Sequence, residues 1–231
     1  MNLYAFIFAR GGSKGVPNKN IRKLGNKTLL EHSIYLAKSI KSIKKIFVST
    51  DSSKIKNLAL NCDINVINRP KNLASDTSPE WLSWQHAIDY LEKKNDKFDV
   101  FLSLPTTSPL RNKEDVEKCI DSLADDTDIV ITMTKSCRSP WFNMVKKLNN
   151  GNVNKIINDG KNYNRRQDVP EVFDMSTVAY VARTDYIKNS SNIFDGKVSG
   201  VEIPADRSID IDTELDFEIA DFLIKKRKQA C

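Results

Sequence analysis

Residues 3–20 read LYAFIFARGGSKGVPNKN, a short apolar run that changes at once into a glycine-rich basic loop. The run Leu3–Ala9 is aliphatic or aromatic and is bounded by Gly11 and Gly12, as is typical of a buried parallel strand that enters a loop. Open α/β sheets bind their ligands at the C-terminal ends of such strands. The stretch therefore predicts an α/β fold and the place of its binding site.

The chain beyond this loop alternates short apolar runs with amphipathic stretches. Thr28 and Glu31 have the spacing of a capping box, which predicts the start of a helix. Alternation of this kind favours a mostly parallel sheet with helices on both faces. Strands are predicted at 46–49, 64–67, 100–104 and 129–132, and helices at 29–40, 53–60, 81–91 and 113–123.

The second half of the chain changes character. Residues 134–175 give few helical signals, and we interpret them as an excursion from the sheet within one domain of residues 1–231. A hairpin is predicted inside it, turning at Asn149-Asn150-Gly151. Strands at 177–181 and 198–203 and a helix at 215–224, followed by the basic residues 225–228, return the chain to the sheet.

The composition bounds the classes of partner. The 231 residues include 36 Lys+Arg and 30 Asp+Glu, a net charge of +6, and 40% apolar residues. This excludes collagen-like and wholly disordered chains. The charge raises the alternative of a nucleic-acid-binding module, but the aromatic residues occupy core-like positions and the cations are scattered outside the loop and the C-terminal lysines. We therefore expect no nucleic-acid partner.

Cysteine usage and hydropathy indicate the compartment. The chain has two histidines and no CxxC pair, which argues against a structural zinc site and a disulfide framework. No apolar run approaches the roughly 18 residues of a membrane helix, and the N-terminal run lacks the features of a secretory signal. We expect a cytoplasmic protein without a membrane partner, whose thiols are reduced: Cys62, Cys119, Cys137 and Cys231.

The glycine loop has the chemistry of a phosphate site. Glycines let backbone N–H groups approach phosphate oxygens closely. Arg10, Lys14 and Lys19 add three cations within ten residues. The glycine spacing matches neither the P-loop GxxxxGK[ST] nor the dinucleotide fingerprint GxGxxG. The sequence predicts a polyphosphate-binding loop of another kind.

The run FARGGSKGVPNKN, residues 8–20, resembles the nucleotide-binding loop of the CMP-sialic acid synthetase family, the acylneuraminate cytidylyltransferases. Segments 69–77, 107–111 and 210–216 agree in order and spacing, and 166–170 agrees more loosely. The resemblance implies a Rossmann-like fold of the nucleotidyltransferase type. It also implies that a sugar-acid hydroxyl attacks the α-phosphate of CTP and releases pyrophosphate, a reaction in which positioning and charge neutralisation dominate catalysis.

Asp210 and Asp212 are the candidate metal ligands. In an extended segment residues i and i+2 face one side, and Mg²⁺ suits a few carboxylates completed by substrate phosphate oxygens. The alternative is that both are helix N-terminal acids, which are common and favourable. Beside the basic loop and the resemblance, we prefer the Mg²⁺ interpretation.

The resemblance assigns roles residue by residue. Arg10 and Lys19, with Asp210 and Asp212, are the expected catalytic residues. The expected nucleotide contacts are Gly11, Gly12, Ser13, Lys14, Asn20, Arg69, Asp76, Thr77 and Ser78, and the expected sugar-acid contacts are Thr106, Thr107, Ser108, Arg111, Arg166 and Gln167. Arg69, Arg111 and Arg166 are expected to converge with the loop cations on one cleft. Glu80 stands where many relatives have a small polar residue, and it could accept from the cytosine amino group or serve as first-turn helix charge.

The departures from the family pattern lie at positions that the resemblance assigns to binding of the sugar acid. Pro105 stands where many members have Gln, and Ser176-Thr177-Val178 replace Asn-Gly-Ala. An apolar residue within Ser139-Pro-Trp-Phe142 stands where some relatives have Lys. CTP is therefore expected to be kept while the sugar acid differs. We expect a sialic-type nonulosonic acid such as legionaminate, pseudaminate or N-acetylneuraminate. The alternatives are 3-deoxyoctulosonate, or a sugar 1-phosphate used with UTP or GTP.

The excursion carries the expected partner contact. In the family such a segment exchanges between subunits and lends an arginine to the neighbouring site, which implies a homodimer with shared active sites and a substrate-covering role for residues 134–175. Arg166 is then expected to hold the sugar carboxylate by paired hydrogen bonds. The alternative for Arg165, Arg166 and Gln167 is a solvated basic turn.

Overall fold

The computed structural model describes residues 1–229, whose centre is a seven-stranded sheet. Residues 1–229 form eleven strands, of which seven make this sheet and the others make the two-stranded sheets β2–β3 and β8–β9. The strands are β1 (Leu3–Phe8), β2 (Lys23–Leu24), β3 (Lys27–Thr28), β4 (Ile43–Thr50), β5 (Asn65–Asn68), β6 (Val100–Ser103), β7 (Ile129–Lys135), β8 (Val145–Lys147), β9 (Val153–Lys155), β10 (Phe173–Arg183) and β11 (Val198–Glu202). The helices are α1 (Leu29–Ser39), α2 (Ser53–Asn61), α3 (Glu80–Glu92), α4 (Lys113–Asp121), α5 (Thr184–Asn189) and α6 (Glu214–Gln229). The predicted fold class, a mostly parallel sheet flanked by helices, is confirmed.

The strand order in the sheet is β11-β7-β10-β6-β1-β4-β5. Strand β10 runs antiparallel between β6 and β7, whereas β1–β4, β1–β6, β4–β5 and β7–β11 pair in parallel. The sequence predicts β10 as a returning strand but not its direction. Because the other strands all point one way, their carboxyl ends meet at one edge, where α/β sheets bind ligands.

Both faces of the sheet are covered. Along β1, Ala5 and Ile7 face one side and Tyr4 and Phe6 face the other, because successive side chains of a strand alternate. Helices α1, α2 and α4 cover the first side, and α3 and α5 cover the second. Burial on both sides explains why every residue of β1 is apolar and buried.

A third, smaller core lies beside the sheet. It joins Val16 of the glycine loop to Leu24 of β2, and it includes Ile211 just before α6 and Phe217 in the first turns of α6. These residues are far apart in the chain but share one apolar cluster. The cluster therefore fixes the glycine loop and the segment around Asp210 relative to each other.

Two helices begin with capping boxes. At α1 the Glu31 amide donates to Thr28 Oγ1 over 3.2 Å, and the Thr28 amide donates to Glu31 Oε2 over 2.7 Å, as the spacing predicts. Asn112 and Asp115 form the same arrangement at α4. The buried Asp115 carboxylate also accepts two hydrogen bonds from Arg207, at 2.8 and 3.0 Å. This pair ties the chain between β11 and α6 to α4.

The excursion is shorter than predicted. The strands β7 and β10 extend into the predicted 134–175 segment, so it runs over residues 136–172. The predicted hairpin is present as β8 and β9, with Gly151 at φ 86° in its turn. Helix α5 and the β2–β3 hairpin were not predicted. The basic stretch 225–228 falls inside α6, and the side chain of Lys228 lies outside the described residues.

Two further expectations from the sequence concern the cellular compartment of the protein. Within residues 1–229 no helix is long and apolar enough to cross a membrane. Cys62, Cys119 and Cys137 are free thiols in the described part of the chain, and Cys231 lies outside it.

Candidate active site

A cavity of about 420 Å³ opens at the carboxyl edge of the sheet. Phe8 at the end of β1 and Thr177 within β10 line it, together with four parts of the chain that each follow a strand. These four parts contribute Arg10, Ser13, Lys14, Lys19 and Asn20 from the glycine loop, Arg69, Asp76, Ser78 and Glu80 after β5, Pro105, Thr106 and Thr107 after β6, and Asp210 and Asp212 after β11. The volume is within the range of small-molecule sites. Most of the predicted site residues are thus brought to one place.

Asp76 holds two of the loop cations. Its Oδ1 atom accepts from Arg10 Nη1 over 2.5 Å, and its Oδ2 atom lies 2.5 Å from Lys14 Nζ. The hydrogen bonds of Lys14 and then of Arg10 lower the pKa of the Asp76 carboxyl. All three side chains are partly or largely exposed, so such pairs exchange partners at little cost. A polyphosphate entering the loop would compete with Asp76 for these cations.

Lys19 connects the glycine loop to the acidic segment. Its ammonium donates to the Ile211 carbonyl oxygen over 2.5 Å and to Asp212 Oδ1 over 3.1 Å, across 192 residues of chain. Gly15 lies against the same segment, and a Cβ built there would collide with the Asp212 carbonyl oxygen. Glycine is therefore required by the close approach of two backbones.

Asn20 fixes the shape of the loop. Its side-chain amide nitrogen donates to the Arg10 carbonyl oxygen over 2.9 Å, and its oxygen accepts from Thr106 Oγ1 over 2.5 Å. The residue is buried although it lines the cavity. Asn20 thus ties the start of the glycine loop to the end of β6.

Asp210 and Asp212 lie on either side of a buried anchor. Ile211 is fully buried between them, and its amide donates to the Thr107 carbonyl oxygen over 2.9 Å. Both carboxylates line the cavity, so the two residues face one side, as their spacing predicts. Asp210 Oδ1 is buried and accepts no hydrogen bond from residues 1–229. An acceptor in this condition fits a cation ligand.

The number of carboxylates favours a metal ion whose coordination shell is completed by oxygens of the substrate. Across the described chain no group of three or more His, Cys, Asp or Glu side chains could hold a metal. Mg²⁺ suits a site of one or two carboxylates, because it retains waters and takes substrate phosphate oxygens. The donors present therefore fit Mg²⁺ better than an ion that needs an all-protein cage.

Arg69 and Glu80 form another wall of the cavity. Arg69 Nε donates to Ser49 Oγ over 3.2 Å, and Nη2 donates to the Ser49 carbonyl oxygen over 2.7 Å. Burial lowers the pKa of Arg69 to about 10, although Glu80 opposes this shift. The pKa of Glu80 is raised by burial among protein groups, against the hydrogen bond from Trp84 and the charge of Arg69. Phe8 also lines the cavity and places its ring 5.4 Å from the Arg69 guanidinium carbon.

A cluster of hydroxyls forms the remaining wall. Thr177 Oγ1 lies 3.1 Å from Thr107 Oγ1 and 2.8 Å from Ser108 Oγ. Thr177 lines the cavity, whereas Ser108 is fully buried behind it. The register of β10 against β7 breaks between Ser176 and Tyr180, and Thr177 lies within that break.

The geometry agrees with one family of enzymes. A sequence model of the cytidylyltransferase family matches residues 4–216, which include every part of the chain that lines the cavity. The chain belongs to the cytidylyltransferase family. The resemblance expected from the glycine loop and the later segments is thereby confirmed.

Two relatives match this cytidylyltransferase almost end to end. The chain is 36% identical over 225 residues to post-translational flagellin modification protein B of Campylobacter coli, covering 96% of this chain and 94% of that one. It is 34% identical over 223 residues to CMP-N,N'-diacetyllegionaminic acid synthase of Campylobacter jejuni, covering 94% and 93%. A solved CMP:2-keto-3-deoxy-manno-octonic acid synthetase complexed with CTP has a TM-score of 0.72 at 16% identity, covering 98% of this chain and all of that one, which shows the shared fold.

One predicted substrate contact of the cytidylyltransferase lies away from the cavity. Arg111 was expected to contact the sugar acid, but in this structure its side chain is buried and donates to protein oxygens. Nη1 donates to the carbonyl oxygens of Pro105 and Val178 at 2.7 and 3.1 Å, and Nη2 donates to Ser33 Oγ at 2.6 Å. Burial lowers the pKa of Arg111 to about 9. Arg111 therefore supports the 105–111 loop from behind, and it does not converge with the loop cations.

Arg166 and Gln167 also lie away from the main cavity. They line a separate cavity of about 500 Å³ beside the excursion, together with Ser136 and Ser139. Arg166 Nη2 donates to the Ser136 carbonyl oxygen. Within one copy of the described chain these residues therefore do not join Arg10 and Lys19, and the expected convergence of Arg166 is not seen.

The remaining predicted contacts are close to the cavity without lining it. Gly12 and Thr77 are exposed, and the Gly11 amide donates to Asp51 Oδ1 over 2.9 Å. Thr177, in contrast, lines the cavity but was absent from the predicted set. Its signal was the departure from Asn-Gly-Ala at residues 176–178.

Proposed function

We propose that the chain transfers CMP from CTP to the anomeric hydroxyl of a sialic-type nonulosonic acid. The observation that carries this proposal is that the loop cations and the carboxylates of Asp210 and Asp212 line the same cavity. The relative named as a CMP-N,N'-diacetyllegionaminic acid synthase, 34% identical over 94% of this chain, supports the same class of acceptor.

The reaction exchanges one bond to phosphorus for another. The anomeric oxygen forms a bond to the α-phosphorus of CTP, the bond from that phosphorus to the bridging oxygen breaks, and pyrophosphate leaves. The hydroxyl proton is lost to base or solvent. Arg10, Lys14 and Lys19 would hold the triphosphate and neutralise the charge that develops on its oxygens, which is the main contribution a protein makes to such a transfer.

Asp210 and Asp212 would hold Mg²⁺. When bound, this ion supplies charge neutralisation at the phosphates and helps to orient the attacking hydroxyl. The chain's own contribution is to keep Asp210 in place, through the Ile211 amide bonded to Thr107 and the Arg207 pair with Asp115. The contact of Lys19 with Asp212 would reduce the net negative charge of the two carboxylates, Asp210 and Asp212.

The sugar acid would lie against Thr106, Thr107 and Thr177. Hydroxyls suit a polyhydroxylated ligand because each both donates and accepts a hydrogen bond. The sugar carboxylate still needs a cation, since the loop cations are assigned to the triphosphate. We propose that Arg166 of a second copy supplies it, in a homodimer with shared active sites.

A substrate panel tests this function. The full chain with CTP and Mg²⁺ is assayed for pyrophosphate release with legionaminate, pseudaminate, N-acetylneuraminate and 3-deoxyoctulosonate, and with a sugar 1-phosphate plus UTP. We expect release with at least one of the three nonulosonic acids and its abolition by a chelator. Release only with 3-deoxyoctulosonate or with the sugar 1-phosphate would replace the proposal by that alternative, and no release with any acceptor would overturn it.

A further inference from the structure

Strand β10 contains a three-residue bulge beside the cavity. Ser176 pairs with Thr132 of β7, and Tyr180 pairs with Ile131, so neighbouring residues of β7 meet residues of β10 that are four positions apart. On the other side of β10, the pairing with β6 begins only at Tyr180. Within the described chain, residues 177–179 therefore have no partner in the register of either neighbouring strand.

The bulge, residues 177–179, determines where one hydroxyl of the cavity wall lies. The side chain of Val178 is fully buried, whereas Thr177 is half-buried and lines the cavity. Thr177 Oγ1 lies 3.1 Å from Thr107 Oγ1 and 2.8 Å from Ser108 Oγ. Bulges are common next to active sites, where they change the direction of a side chain. The position of the Thr177 hydroxyl thus depends on the shape of the bulge.

A buried hydroxyl holds both ends of the bulge. Thr132 is fully buried in β7, and its Oγ1 atom donates to the Ser176 carbonyl oxygen over 2.9 Å. The same atom accepts from the Ala179 amide over 3.3 Å and lies 3.3 Å from the Ala179 carbonyl oxygen. Arg111 contacts the middle of the bulge, where Nη1 donates to the Val178 carbonyl oxygen by the longer of its two bonds. Among residues 1–229, Thr132 is the side chain that bonds to the backbone at both ends.

These contacts of Thr132 require a hydroxyl. A hydroxyl combines one donor with two acceptor lone pairs on a single atom, so it can donate to one end of the bulge and accept from the other. Valine has nearly the same shape but can do neither. A valine at this position would leave the Ser176 carbonyl and the Ala179 amide without this buried partner, which is unfavourable.

We propose that Thr132 is a positioning residue, which fixes the bulge so that the Thr177 hydroxyl contacts the sugar acid. The inference rests on the proposed function in so far as that function places the sugar acid against Thr177. Thr132 does not line the cavity itself, so its effect on the sugar acid passes through Thr177. The cations assigned to the triphosphate lie in the glycine loop, so a change at Thr132 should affect the sugar acid and not CTP.

A purely structural role for Thr132 would give a different kinetic result. Loss of folded protein reduces the amount of active enzyme, which lowers the apparent kcat but leaves the KM for each substrate unchanged. Displacement of the Thr177 hydroxyl instead raises the KM for the sugar acid alone. The comparison of the two KM values therefore separates positioning from stability.

The experiment measures pyrophosphate release from CTP and Mg²⁺ with whichever of legionaminate, pseudaminate, N-acetylneuraminate and 3-deoxyoctulosonate the wild type uses. In Thr132→Val we expect the KM for that acid to rise about tenfold, as for the loss of a hydrogen bond or two, and the KM for CTP to change by less than about twofold. Thr132→Ser keeps the hydroxyl and should restore the KM for the acid. Thr134→Val is the matched control, because Thr134 lies on the same strand, pairs with Asp174 outside the bulge and does not line the cavity.

A double variant tests whether Thr132 acts through Thr177. Thr177→Val alone should raise the KM for the acid by about the same factor as Thr132→Val. Adding Thr132→Val to Thr177→Val should then raise it by less than about twofold more, because changes within one hydrogen-bonded network are not additive. Two full and independent effects would show that Thr132 does not act through Thr177, and they would overturn the inference.

The remaining outcomes separate the inference from the proposed function. An unchanged KM for the acid in Thr132→Val, or an equal rise in the KM for CTP, overturns the inference while an active wild type supports the function. If Thr132→Val does not fold, Thr132→Cys replaces it, because a thiol is only a weak donor and acceptor, and a rise in the same KM is expected. A wild type that uses only 3-deoxyoctulosonate replaces the proposed function, and the variants then decide the inference on that acid. A wild type that uses none of the four acids overturns both.

Discussion

At the scale of single residues, the cavity combines side chains that face the ligand with others that only support them. Arg111 belongs to the second group, because its Nη1 and Nη2 atoms donate to backbone and side-chain oxygens behind the 105–111 loop, although its buried Nε has no partner in residues 1–229. Asp210 belongs to the first, because its buried oxygen has no partner in residues 1–229. The two residues therefore respond differently to substitution.

Arg111→Met should destabilise the protein while leaving substrate affinity largely intact. The variant leaves the carbonyl oxygens of Pro105 and Val178 buried without donors, which costs about 2–4 kcal/mol of the free energy of unfolding. Urea denaturation measures this loss, and Arg165→Met, at an exposed position, is the control expected to cost little. Unchanged stability together with a raised KM for the sugar acid would return Arg111 to substrate binding.

Asp210→Asn should lose turnover while the fold survives. The substitution keeps size but removes the charge of a proposed Mg²⁺ ligand, and a metal worth several kcal/mol to the transition state corresponds to a loss of kcat of about 100-fold or more. Steady-state kinetics and thermal melting measure the two effects. Asp206→Asn, in the same segment but outside the cavity, should keep its activity. Full activity in Asp210→Asn would remove Asp210 from the metal site.

At the scale of elements, the site depends on two loops that touch although they are far apart in the chain. Gly15 meets the Asp212 carbonyl, Lys19 bonds to Ile211, and Val16 shares a core with Phe217. The glycine loop and the start of α6 thus behave as one structural unit. A change that separates them should affect both sides of the cavity.

Gly15→Ala tests this contact, with Gly12→Ala as its matched control. A Cβ at Gly15 collides with backbone, whereas a Cβ at Gly12 meets no described atom within 4 Å. Overpacking of about 1–3 kcal/mol should lower the Tm of the ligand-free protein by about 2–10 °C in Gly15→Ala only. Equal melting temperatures for the two variants would show that the loops are not closely coupled.

The local sequence pattern predicted most of these elements, because burial on both faces of a strand and capping of a helix depend on residues that are close together in the chain. The apolar run of β1 and the Thr28 capping box are examples. The pairing of strands that are far apart in the chain does not depend on local sequence. The direction of β10 and the register break at Thr177 therefore could not be predicted. The inward turn of Arg111 was missed for a similar reason, since a motif does not specify which way a loop side chain points.

At the scale of the whole molecule, the excursion is the part whose role extends beyond one copy. Its hairpin exposes Val145 and Val153 on one face, and Ile156 and Ile157 follow it. Exposed apolar residues of this kind are characteristic of interaction surfaces. They support the proposed homodimer, and we infer that its second copy covers the hairpin.

Replacing Val145 and Val153 together by Asp should convert a dimer into a monomer and reduce activity. Asn154→Asp, on the opposite face of the same hairpin, should leave the dimer intact because alternate residues of a strand face opposite sides. Light scattering after size-exclusion chromatography gives the mass of each variant. A wild type that is monomeric at micromolar concentration would contradict the homodimer, and an unaffected dimer in the double variant would place the interface elsewhere.

The antiparallel pairing of β7 with β10 has a consequence for how such a protein can change in evolution. Lys135 is paired with Phe173, and the Ser136 amide donates to the Val172 carbonyl oxygen over 3.0 Å, so the excursion leaves and re-enters the sheet at adjacent points. Opposite residues of an antiparallel pair lie only about 5 Å apart, a gap that a tight turn closes. A change in the length of the segment between these points therefore need not alter the pairing of β7 with β10.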